Sequence, residues 1–134
     1  MVESGVQCSD EIASSFNNIH TSKSRFAVYR FEGDSQIVLD KEGDRDASFD
    51  DFKAAIPDAE CRYAVYDLEW EDSDKRKIRK VLFVVYIPDG VKTADKFMYS
   101  NAKTVIRAKI GHVNKDLTIN DRLDLTMDYF REQF

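Results

Sequence analysis

Hydrophobic positions along the chain follow two rhythms, one helical and one extended. Ser9-Asp10-Glu11 is a helix-start signal: a capping hydroxyl, then two acids where the helix dipole favours negative charge. Ile12, Phe16 and Ile19 follow at i, i+4 and i+7, which predicts a helix over 9–20. Arg25 to Phe31 is rich in β-branched and aromatic residues and reads as a strand. Glu32-Gly33-Asp34 is a turn, and Gln36 to Leu39 is the returning strand of a hairpin. Phe49, Phe52 and Ile56 share one face of a short helix over 48–56, which Pro57 ends. In the strand Arg62 to Trp70, Tyr66, Leu68 and Trp70 are expected inward, with Asp67 and Glu69 outward. Glu71 to Lys77 is a solvated turn. Val81 to Ile87 shows no alternation, so it is expected as a central strand covered on both faces. Pro88-Asp89-Gly90 breaks it. A long helix is expected over 92–110, closed by Gly111 as a C-terminal cap. A short strand over 113–117 follows. A last helix over 121–134 would carry Leu123, Met127 and Phe130 on one face.

A strand buried on both faces needs helices on both sides of its sheet. The expected fold is therefore a three-layer α/β (α+β) domain. At 134 residues the chain fits one domain, 1–134, and buries enough surface to need no disulfide or metal staple. The aromatic set, Phe 9 and Tyr 6, requires a core, and Tyr66, Phe83, Tyr86 and Trp70 are expected in it. Net charge is −5, which argues against a general nucleic-acid binder, because phosphate neutralisation supplies most of such a protein's affinity. Cys8 and Cys61 form no CxxC pair and read as reduced thiols of a cytoplasmic protein. The N-terminus lacks the charged and apolar regions of a signal peptide, and the Val81–Ile87 run is far short of the roughly 20 residues a membrane span needs.

Catalytic chemistry does not converge in this sequence. His20 and His112 read as exposed residues at helix ends, without a second histidine at ligand spacing. GxGxxG, Walker and GxSxG motifs are absent. No cofactor and no metal site is expected. What stands out is charge. Lys96, Ser100, Lys103 and Arg107 are spaced 4, 3 and 4 and form one stripe of the long helix, with Met98, Ala102 and Val105 expected on roughly the opposite face. Lys75, Arg76, Lys77, Arg79 and Lys80 form a second basic cluster before the central strand. Periodicity alone also fits an ordinary solvated face and a solvated hairpin tip.

Ser4-Gly5-Val6 with Asp10-Glu11 resembles the N-terminal lead of the actin-depolymerising factor/cofilin family. Cys61-Arg62-Tyr63-Ala64-Val65-Tyr66-Asp67-Leu68-Glu69 is similar to that family's CRYAIYDFE strand, the most specific of the matches. Ile87-Pro88-Asp89 resembles its SPD turn, and Lys96 to Lys103 its KMxYASSK helix start. The motifs occur in the family's order and span essentially the whole chain. There are departures: Ala94 stands where a basic residue is usual, Ile87 replaces serine, Tyr86 replaces tryptophan, and Gln133 stands where some members carry arginine.

The resemblance implies a mixed sheet of about five strands flanked by helices, and a non-enzymatic, monomeric protein of the cytoplasm and cytoskeleton. Its implied partner is actin, as monomer and as filament, with filament depolymerisation and severing as the outcome. It further implies two actin contacts. One, for monomer and filament alike, maps to Ser4, Gly5, Val6, Lys96, Phe97, Met98, Lys103 and Arg107. The other, specific to the filament, maps to Arg76, Arg79, Lys80 and Arg131. Ser4 is the implied site of regulatory phosphorylation. Two alternatives stay open: a variant that mainly binds monomers and severs weakly, and a phosphoinositide-binding or adaptor domain that uses the basic ridge.

Overall fold

The structure, a computed structural model, describes residues 5–134. Strands β1 (Gln7–Cys8), β2 (Ser24–Glu32), β3 (Gln36–Asp44), β4 (Arg62–Glu71), β5 (Lys77–Tyr86) and β6 (Lys115–Ile119) form one mixed sheet in the order β1-β3-β2-β4-β5-β6. The central strands β3, β2, β4 and β5 are antiparallel neighbours, while β1 and β6 add in parallel at the two edges. Helices α1 (Asp10–His20), α3 (Thr93–Asn101) and α4 (Lys103–Lys109) cover one face. Helices α2 (Phe49–Ala55) and α5 (Met127–Arg131) cover the other.

The period-2 geometry of a strand explains why β5 shows no alternation of polarity. Val81, Phe83 and Val85 point into the core under α1, α3 and α4. Leu82, Val84 and Tyr86 point into the core under α2 and α5. Both faces are buried, so both sets are apolar. β2 divides in the same way, with Ala27, Tyr29 and Phe31 on the first face and Phe26 and Val28 on the second. Local signals set the ends. Ser48 and Asp51 form a reciprocal capping box at the start of α2. The β2–β3 turn needs φ +71° at Gly33, a conformation that costs glycine nothing.

The structure departs from the expectations at several points. The N-terminal lead forms β1, whose Gln7 and Cys8 pair with Gln36 and Ile37. Two residues are too short for periodicity to show. The long helix is interrupted at Ala102, which has φ −87° and ψ −1°. There the Tyr63 hydroxyl donates to the Tyr99 carbonyl at 2.5 Å, the acceptor a continuous helix would offer to the N–H of Lys103. Gly111 is not a left-handed cap: α4 ends in extended backbone at Ile110. A Cβ at Gly111 would come within 2.9 Å of the Phe16 ring, so glycine serves close approach. The last edge strand begins at Lys115 rather than at Val113, which is buried beside it.

The expected C-terminal helix is a 3-10 turn (Arg122–Asp124) followed by the short α5. Leu123 is consequently 79% exposed, while Phe130 alone of the expected trio is fully buried. Two side-chain expectations also change. Asp67 faces inward and is completely buried, and Trp70 is only half-buried, whereas Tyr66, Phe83 and Tyr86 are buried as expected.

Candidate functional site

The first candidate surface is built by β1 and the α3–α4 pair. Pairing with β3 holds β1 beside α4, and a shallow groove between them is lined by Gln7, Cys8, Val105, Ala108 and Lys109. Lys109, at the edge of that groove, reaches with its Nζ to Asp10 Oδ1 at the start of α1, at 3.7 Å. Gly5 is exposed with φ +78°, and Val6 is half-buried against the core. Ser4 lies outside the described residues.

The buried side of α3 and α4 consists of Tyr99, Ala102, Ile106 and Ile110. At about 100° per residue, the stripe Lys96–Ser100–Lys103–Arg107 lies roughly a quarter turn from that side rather than opposite it. Lys96, Lys103 and Arg107 are therefore half-buried at the flank, and Val105 and Met98 are half-buried as well. Phe97 occupies the outward side and is 62% exposed, which no core requirement explains. Arg107 is held in place: its Nε sits 3.1 Å from Asp116 Oδ2, and its guanidinium lies 5.7 Å over the Phe83 ring. Near the start of α3, a cleft of about 610 Å³ is lined among others by Arg30, Arg62, Lys92 and Met98.

The second candidate surface forms around the β4–β5 hairpin and α5. Lys80 pairs with Leu68 in the ladder, and its Nζ lies 5.7 Å over the Phe134 ring. Arg131 sits 5.9 Å over the Trp70 ring. Lys80 and Arg131, thus brought together, flank a pair of aromatic rings. Arg76 stands apart at the hairpin tip, 74% exposed and 2.9 Å from Asp72 Oδ2. Arg79 is turned inward. Its Nε bonds both oxygens of Asp67, at 2.9 and 3.0 Å, and an Nη donates to the carbonyls of Ile19 and His20 at the end of α1.

Asp67 also pairs with Arg45 at 2.6 Å, so a buried carboxylate is shared by two arginines. Glu69 extends this network through Arg25 and Arg45. Partial burial works against the charge of Glu69, but the Arg25 hydrogen bond and the Arg45 charge prevail and hold its carboxyl below the usual range. The stability this pairing adds is present above the ordinary carboxylate pKa and is lost as pH falls through the lowered one. Sequence patterning missed the network because a strand written apolar–polar–apolar hides a paired charge as well as it shows a solvated one.

Neither thiol is prepared as a nucleophile. Burial, then the nearby Asp95 carboxylate, pushes Cys61 up to about 11, and burial also raises Cys8 despite Lys109. His20 and His112 are exposed. Among the described residues, no group of His, Cys, Asp or Glu is placed to hold a metal ion, and no helix is long and apolar enough to cross a membrane.

Comparison with known proteins bears on these surfaces. The family of cofilin/tropomyosin-type actin-binding proteins matches residues 5–134. Actophorin of Entamoeba histolytica is 31% identical over 92% of this chain and 91% of its own. Actin-depolymerizing factor 2 of Arabidopsis thaliana is 28% identical over 97% of this chain and 95% of its own. The crystal structure of Streptomyces griseoflavus cofilin superposes with a TM-score of 0.88 at 25% identity, covering 96% of both chains.

Proposed function

The chain belongs to the family of cofilin/tropomyosin-type actin-binding proteins, and from that premise we propose that it binds monomeric and filamentous actin and promotes filament turnover by depolymerisation and severing. The observation that carries this reading is Phe97. A large aromatic ring 62% exposed on α3, with Lys96 beside it in sequence and Lys103 further along the pair, has the composition of an interface anchor with a basic rim. Its location, on the helix pair that packs beside the N-terminal strand, supports a contact that includes Gly5 and Val6.

The second surface supports a filament role. Contacts to two neighbouring subunits favour one filament geometry over another, and a binder shifts a population by its differential affinity. The filament then loses subunits or breaks without bond chemistry by the protein. On this reading the protein acts in the cytoplasm, with the cytoskeleton.

Co-sedimentation with filaments, alongside native gel shift with monomeric actin, tests the proposal. Binding to both, with a shorter mean filament length, is the expected result. A protein that remains in the supernatant and leaves monomer migration unchanged would refute it. A second reading, monomer binding with weak severing, is favoured by Arg79, whose guanidinium is committed to Asp67 and the end of α1. Pelleting with phosphoinositide vesicles in place of filaments would support a lipid-binding domain instead.

A further inference from the structure

We propose that Phe134 and Trp70 form an aromatic platform that positions Lys80 and Arg131 against an actin subunit of the filament. The inference rests on the two-contact reading above and assigns a positioning role to Phe134. The two rings lie 6.1 Å apart between centroids at an interplanar angle of 33°. Lys80 Nζ is 5.7 Å from the Phe134 centroid, and the Arg131 guanidinium is 5.9 Å from that of Trp70. Both cations thus rest on aromatic faces, within the range where the ring quadrupole attracts them. Trp70 comes from β4 and Lys80 from β5, while Arg131 comes from α5 and Phe134 follows it, so the platform joins the end of the sheet to the last helix.

Core packing does not account for the arrangement. Trp70 touches the core only at its margin, and Phe134 lies outside it, 44% exposed. Ile78, opposite Trp70 in the ladder, completes a shallow cleft of about 480 Å³ rimmed by Asp128, Arg131 and Glu132. An apolar floor with charges of both signs at its rim suits a protein surface. The two rim carboxylates oppose an anionic membrane. A lysine whose ammonium already rests over a ring also loses less freedom when a partner carboxylate meets it, and that saving appears as affinity.

Trp70 is the sole tryptophan, so its emission reports the platform in the free protein. Phe134→Ala should shift that emission to the red with the thermal midpoint unchanged, because the ring lies outside the core. Its filament Kd should rise roughly tenfold, with monomer affinity unaltered. Phe134→Tyr should restore both readouts.

Emission that does not move, or filament affinity equal to the parent's, would overturn the proposal. So would a loss equal for monomer and filament, or a loss seen on phosphatidylserine vesicles and not on filaments. A parent protein that fails to pellet with filaments would remove the two-contact reading itself. A parent that pellets beside an unimpaired Phe134→Ala variant would remove only this inference.

Discussion

Asp67 has no solvent-exposed surface and is the shared counter-ion of Arg45 and Arg79. Removing one partner from such a cluster leaves charges whose desolvation is no longer offset. Asp67→Asn keeps the shape and removes the charge. Because both arginines retain some contact with water, its cost is expected near the lower end of the range for broken buried pairs, about 3 kcal/mol, measured by urea unfolding. A loss below about 1 kcal/mol would show that Glu69 takes over the role. The flank lysines present the opposite case. Lys96→Ala with Lys103→Ala should change stability by less than about 0.5 kcal/mol while weakening monomeric actin binding roughly three- to tenfold. Undiminished monomer binding would remove the ridge from the interface. For Ser4, addition of a phosphate brings a charge of about −1.5 to −2 next to Glu3. Ser4→Glu is accordingly expected to weaken actin binding in the same gel-shift assay, and equal binding would count against charge repulsion as the regulatory mechanism.

The break at Ala102 turns one expected helix into α3 and α4. Tyr63 on β4 donates to the Tyr99 carbonyl, and the Tyr99 hydroxyl in turn accepts from the Phe31 N–H at 3.1 Å. The helix pair is thus tied to two strands through its own weak point. Tyr63→Phe should cost about 1 kcal/mol, the usual net worth of one hydrogen bond. It should also change amide exchange most strongly around 99–105; uniform change along both helices would mean that the hydroxyl does not define the break. The same element shows how far sequence reading reached. A helix after Gly90 was legible, and Arg25 to Phe31 and Val81 to Ile87 announce strands, but the buried side of the helix was misjudged: of Met98, Ala102 and Val105 only Ala102 is buried, beside Tyr99, Ile106 and Ile110. The break was hidden, because the hydroxyl that meets it belongs to Tyr63, 36 residues from Tyr99 in sequence. Asp67 and Arg79 were hidden for the same reason: a charge in a strand pattern does not name its partner. The platform of Trp70 and Phe134 was equally out of reach, since only the fold brings β4 to the last helix.

At the scale of the whole molecule, the two candidate surfaces are built unequally. The first has β1, α3 and α4 behind it, and its exposed anchor is free for a partner. The second relies on Lys80 and Arg131, with Arg79 engaged internally and α5 spanning only Met127–Arg131. A bivalent grip loses its effective-concentration gain when one contact weakens. Monomer binding is therefore expected to be strong relative to severing. Imaging of single filaments over a concentration series would check this, and frequent breaks at sub-saturating protein would show the second surface to be fully competent. The sheet also determines how the molecule behaves among its own copies. β1 covers β3 only at Gln36 and Ile37, which leaves the outer backbone of Val38 to Asp44 without a strand partner among the described residues. Such an edge is a template for another chain. Here it carries Asp40, Lys41, Glu42 and Asp44, and its ladder with β2 is interrupted by register shifts. A like segment approaching edge to edge would meet charge and an irregular ladder, so a crowded solution of this protein should resist sideways growth of its sheets into aggregates.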